Sequence, residues 1–198
     1  MRINVFGNLI RNSSFNIAPA FTAATTSSGQ WINGAAGGSS AQRNYEWGIV
    51  SITAAAEAAF DSTVTHSGSY SMRLSTTNAT GVITVANYKT VVIPVLIPLA
   101  PSTTYTLTGW VKTNNAATNS VFVDVREFTP AAGVVATNSS NKLSGTNDWT
   151  TITATFTTGA TTRCGAILLR NNVAGNVSDA WFDDLVLTRS TATTRSAA

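Results

Sequence analysis

Residues Asp179–Thr188 read DAWFDDLVLT, and the fold turns on this stretch. It has the composition of a strand that closes a β-sandwich. Side chains alternate across a strand, so Trp181, Asp183, Leu185 and Leu187 fall on one face. Apart from Asp183 these are large and apolar, so the face is expected to point into a core. Asp183 then sits in a core-facing row. A carboxylate there needs a cation or several hydrogen-bond donors, because an unpaired buried charge is very costly. The stretch carries no Lys or Arg, so a bound metal ion is the first expectation. Asp184 falls on the other face, with Phe182 and Val186.

The chain has 198 residues, which suits one domain. A domain of this size buries roughly 70% of its unfolded surface, so a core forms without disulfides. Only 11% of residues are charged, against about 25% in typical soluble domains. Thr, Ser and Asn supply the polar surface instead, and these residues favour strands and turns over helices. The net charge of +3 comes without any Lys/Arg run, so nucleic acid is not an expected partner. No stretch is long and apolar enough to span a membrane. The N-terminus, MRINVFGNLIRNSSF, lacks the apolar run of a secretory signal. Cys164 is the single cysteine and is expected to be a buried core residue.

Strand signals recur along the chain. Ser67–Ser75 alternates, with Tyr70, Met72 and Leu74 inward. Thr104–Lys112 places Tyr105, Leu107 and Val111 inward, with Thr106, Thr108, Trp110 and Lys112 outward. Asn114–Asn119 is a turn by composition. Ser120–Thr129 turns Val121, Val123 and Val125 inward and Phe122, Asp124, Arg126 and Phe128 outward. Thr150–Thr158 buries Ile152, Ala154 and Phe156. Cys164–Arg170 and Ala180–Thr188 complete the set. Shorter strands are expected at Asn8–Asn16 and Tyr45–Thr53. Thr90–Leu99 is a further hydrophobic strand, confined to an edge by Pro94 and Pro98. Ala18–Ser40 is a long loop or a loop with one short strand, and Ala54–Ala59 alone has helical character. Residues 1–7 are an N-terminal arm, 8–188 the domain, and 189–198 a polar tail. Many short strands without a convincing helix give an all-β fold, a two-sheet antiparallel β-sandwich of jelly-roll type.

In order, NLIRNSSFN, HSGSYSMRLS, TTYTLTGWVKT, NDWTTITATFTT and WFDDLVLT resemble the jelly-roll carbohydrate-binding modules of the galactose-binding-like type that accompany xylanases and glucanases. The resemblance covers roughly 8–188. It implies a structural calcium ion held by Asp183 and Asp184 together with carbonyls near the first strand. Calcium takes six to eight oxygen ligands, carbonyls among them. It also implies a glycan or polysaccharide ligand on one sheet face or on loops at one end, stacked on exposed aromatics. Trp110, Phe122, Asp124 and Arg126 are the candidate ligand residues, with Trp47 and Trp31 from the loops. A ring offers the apolar platform, and Asp and Arg offer directional hydrogen bonds. The structural alternatives are that Asp124 and Arg126 form a surface ion pair and that the two Phe pack under a loop.

Enzyme chemistry is poorly supplied. His66 is the only histidine, and no serine sits in a G-x-S-x-G context. There is no phosphate-binding glycine loop. One His and one Cys do not make an ordinary zinc site, and no carboxylate pair is marked for glycoside hydrolysis. The expected function is non-catalytic surface recognition through glycans. The expected setting is a virus or phage particle, as a decoration or host-attachment component that contacts other virion subunits and forms a homo-oligomer. The alternatives are a purely structural assembly protein and an extracellular module detached from a secreted glycosidase.

Overall fold

The computed structural model describes residues 7–10, 15, 47–53, 55–86, 96–172 and 174–190. All regular elements among them are strands: β1 (Gly48–Ile52), β2 (Ala56–Asp61), β3 (Ser71–Thr76), β4 (Ile83–Ala86), β5 (Ile97–Pro98), β6 (Thr104–Phe128), β7 (Val134–Ser139), β8 (Leu143–Thr157), β9 (Cys164–Asn171) and β10 (Ser178–Arg189). Pairing runs β1-β4-β9-β6-β10-β3-β2, with β5 on β9 and with β7 and β8 on β6. All pairs are antiparallel.

Strand β6 makes this a sandwich. Its first half pairs with β8 and β10, and its second half pairs with β7 and β9. One strand therefore serves both layers. The first layer is β2-β3-β10-β6-β8, and the second is β1-β4-β9-β6-β7. The Asn114–Asn119 segment is not a free turn between two strands. It is the kinked middle of β6, with Asn115 and Asn119 both at φ 55, a conformation that Asn tolerates better than most residues. Side chains of β8 hold the kink: Thr146 Oγ1 accepts from the Asn115 amide at 3.0 Å, and Ser144 Oγ accepts from the Asn119 amide at 2.8 Å.

The expected inward rows form the core. Tyr105, Leu107 and Val111 from one half of β6 share a buried cluster with Val121, Val123 and Val125 from the other. Met72, Leu74, Ile152, Phe156, Leu185 and Leu187 belong to it too. Each such side chain contributes about 1.5–3 kcal/mol of transfer free energy when fully buried. Tyr70 only half enters. Ala54–Ala59, helical in character by sequence, lies largely in strand β2. Its alternate residues Ala56, Ala58 and Phe60 face the same core, so packing overrides alanine's local preference. Cys164 is only partly buried at the start of β9, packed against Phe128, Ala166 and Leu168. Of the expected Thr90–Leu99 strand only 96–99 are described, and the short β5 lies there. The N-terminal arm lies outside the described residues except Gly7, and the tail except 189–190.

The row drawn through Trp181, Asp183, Leu185 and Leu187 does not hold. Asp183 pairs with Trp110 and Val186 with Thr108, so β10 takes one extra residue there. This β-bulge carries Asp184 at φ 46, and it moves the strand from one row to the other. Ala180 and Phe182 face the core before the bulge, and Leu185 and Leu187 after it. Trp181 and Asp183 are thereby turned to the outer face of the first layer. Asn8 holds the strand beyond the bulge, donating from Nδ2 to the Leu185 carbonyl at 2.8 Å and accepting from the Leu187 amide at 3.0 Å.

Candidate functional site

The residues singled out by sequence are divided between the two outer faces. Trp110 and Lys112 stand outward on the first half of β6, and Phe122, Asp124 and Arg126 stand outward on the second half. Both halves turn their intervening residues into one core, so the two sets point away from each other. Trp110 therefore does not share a platform with Asp124 and Arg126. Sequence alternation predicts the face within each half, but it cannot show that the strand changes layers between them. Trp47 is fully buried against Phe15, ring centroids 5.1 Å apart, and is a core residue. Trp31 lies outside the described residues.

On the second layer, four strands build a polar stripe. Arg170 of β9 donates from Nε to Asp124 Oδ2 of β6 at 2.9 Å, and its NH2 lies 2.8 Å from the same oxygen. Ser139 of β7 donates to Asp124 Oδ1 at 2.6 Å. Arg170 NH1 donates to Thr84 Oγ1 of β4 at 3.1 Å. The side chains of Arg170 and Asp124 are only 16% and 4% exposed, so this pair is screened far less than a surface ion pair. Beside it lies a small apolar cluster, Phe128, Ala166 and Leu168, separate from the main core. Phe122 is not an open platform, because Lys142 Nζ sits 4.5 Å over its ring. Arg170 and Thr84 are missed by sequence reading. The signal available was that Arg170 ends the apolar run AILL in an outward position.

On the first layer, Asp183 and Asp184 gather the turn before β3. Asp183 Oδ2 accepts from the amides of His66 at 2.9 Å and Ser67 at 3.1 Å, and its Oδ1 accepts from the Asp184 amide at 2.8 Å. Asp184 Oδ2 lies 2.8 Å from His66 Nδ1, and its Oδ1 accepts from Ser67 Oγ at 2.8 Å. A carboxylate can only accept, so Nδ1 carries the proton. Burial pushes the Asp183 carboxyl above its usual range, and the neighbouring Asp184 charge adds to this. The Ser67, Asp184 and His66 amides pull the other way and do not fully offset it. The His66 ring is stacked on Trp110 and meets Trp149 edge-on. Lys112 reaches Asp148 at 2.6 Å, and that ammonium holds the Asp148 carboxyl below its usual range.

The family resemblance implies calcium at Asp183 and Asp184. A calcium site presents oxygen atoms to the ion. Here both oxygens of Asp183 face N–H groups, and both oxygens of Asp184 face hydrogen-bond donors. Among the described residues no three His, Cys, Asp or Glu side chains converge on one point. Among the described residues the donor set does not fit a cation at this pair.

Comparison with known proteins agrees with this architecture. A family model described as a carbohydrate binding domain matches residues 7–168. The chain belongs to this family. This carbohydrate-binding domain is 38% identical over 96 residues to the tRNA(Glu)-specific nuclease WapA of Bacillus subtilis subsp. natto. That match takes in 46% of the domain chain and only 4% of the nuclease. Among solved structures, the CBM22-1 xylan-binding domain of Paenibacillus barcinonensis Xyn10C superposes with a TM-score of 0.51 at 10% identity, over 97% of this chain and all of that one. A tailspike protein of bacteriophage CBA120 superposes with a TM-score of 0.59 at 14% identity, over 91% of this chain and 24% of that one. At such identities the structural matches establish the fold.

Proposed function

We propose that this carbohydrate-binding domain is non-catalytic and holds a glycan or polysaccharide along the outer face of its second layer. The observation that carries the reading is the Ser139–Asp124–Arg170–Thr84 stripe, in which Arg170 is partly exposed. A sugar presents hydroxyls at its rim and C–H groups on its faces. Its hydroxyls suit a surface that offers fixed charged hydrogen-bond partners, and the buried Phe128, Ala166 and Leu168 pack beside that stripe. Within the described residues, Arg170 uses three of its five N–H groups, counting Nε, NH1 and one on NH2. The guanidinium is thereby fixed in orientation, with 16% of the Arg170 side chain exposed to a ligand hydroxyl. The bonds within the stripe fix the Arg170 guanidinium before binding, which lowers the entropic cost of association.

The test is a glycan array with the wild-type domain and Asp124→Asn. Specific glycan signal that the substitution removes, with thermal unfolding still cooperative, is the expected result. No signal for any glycan from folded wild-type protein contradicts the proposal.

The setting is a separate proposal. A virus or phage particle surface and a secreted polypeptide both present such a face to external glycans. The match to a short segment of a long bacterial protein supports use as one module among others. Particle genes beside the coding gene, and a homo-oligomer on size-exclusion chromatography, are the expected observations for the particle setting. A monomer encoded among secreted enzymes contradicts it.

A further inference from the structure

The turn before β3 is held in a way that the family resemblance does not lead one to expect. Asp183 is fully buried on the outer side of β10, at the bulge. Its three amide donors come from the turn, His66 and Ser67, and from its own neighbour, Asp184. These N–H groups are partners for the carboxylate charge and offset part of the cost of burying it. Asp184 is in the left-handed region at φ 46, which turns its side chain toward the same segment. There it takes the His66 imidazole and the Ser67 hydroxyl. The imidazole is then wedged between Asp184 and the Trp110 indole, at 4.2 Å and 15° from parallel. Ser71 closes the turn from the other end, its hydroxyl donating to the Val64 carbonyl at 2.6 Å.

We propose that Asp183 and Asp184 form a metal-free clamp. Backbone amides and the His66 side chain take the place that a calcium ion would have, and they fix the turn against Trp110. The bulge makes this possible. Without the extra residue, Asp184 would fall in the core-facing row and could not reach His66. The clamp uses the only histidine of the chain, and it spans more than a hundred residues of sequence, from His66 to Asp184 at a separation of 118. It fastens the last strand to the turn that leads into β3.

The inference is independent of where a glycan binds, and so is its test. Domain stripped of metal with EDTA is unfolded thermally, with and without millimolar calcium. Near-UV circular dichroism is recorded alongside for wild type, His66→Ala and Asp184→Asn. The expected result is the same melting temperature with and without calcium. Both variants are expected to melt lower and to lose part of the tryptophan near-UV signal, because the stacked ring on Trp110 is released. Two results overturn the proposal. One is a saturable rise of several degrees on adding calcium to the stripped wild type. The other is a near-UV spectrum and melting temperature unchanged in both variants.

Discussion

The imidazole of His66 lies flat on the indole of Trp110, ring centroids 4.2 Å apart. This contact changes the role of the tryptophan that the sequence offers as the best sugar platform. One face of the ring is already occupied, and the ring stands on the layer opposite Asp124 and Arg170. Trp110→Ala is expected to lower stability by about 0.5–1.5 kcal/mol through the lost aromatic contact, and further through lost burial. Glycan affinity should be unaffected. Denaturant unfolding and a binding titration on the same protein check both halves of the expectation.

Leu107 is fully buried where the two halves of β6 meet in the core. Leu107→Ala is expected to cost about 2–5 kcal/mol, the range for deleting a large buried aliphatic side chain. Urea unfolding measures it. A cost near zero would mean that the strand phase is wrong.

How much of this was legible can be seen in single residues. Alternation found both inward rows of β6, because a period of two is a local property. It failed at Asp184, because a non-glycine residue at positive φ is set by the tertiary contacts around it. That one residue moved Trp181 out of the core row and brought Phe182 in. Alternation also could not show that Asn114–Asn119 carries one strand from the first layer to the second. Composition marks those residues as a turn, and only their bonds to Ser144 and Thr146 of β8 show a kinked continuation. The buried Asp183 was legible as a carboxylate in need of partners. That the partners are amides of a turn far away in the chain was not.

Glu127 is fully buried with no cation beside it among the described contacts. Its Oε1 accepts from Asn138 Nδ2 at 2.7 Å, and its Oε2 accepts from the Gly159 amide at 2.9 Å and the Thr162 hydroxyl at 2.5 Å. Glu127→Ala strands these donors and is expected to destabilise by about 1–3 kcal/mol for each one left buried and unsatisfied. Calorimetry on Glu127→Ala and Glu127→Gln separates loss of the acceptor from loss of the charge.

Asp61 gives the domain a pH dependence in acid. Burial pushes its carboxyl up. The Thr63 hydroxyl, the Trp181 indole and the amides of Thr63 and Val64 together outweigh this and leave it below its usual range. Asp61 and Arg73 line one shallow cleft. A folded-state pKa below the unfolded value of about 3.9 adds stability above that value. That stability is lost as pH falls through the folded value. Denaturation midpoints from neutral to acid pH should therefore drop less steeply in Asp61→Asn than in wild type. Trp181 emission should shift over the same interval, since its Nε1–H donates to Asp61 at 2.9 Å.

The most direct measurement is a calorimetric titration of the best array glycan into wild type, Arg170→Gln and Trp149→Ala. A hydrogen bond to a charged group contributes about 1.5–3 kcal/mol, which is roughly tenfold or more in affinity. The account predicts at least that loss for Arg170→Gln, in protein that still unfolds cooperatively, and unchanged binding for Trp149→Ala. Binding retained by Arg170→Gln and lost by Trp149→Ala would place the glycan on the opposite layer and contradict it.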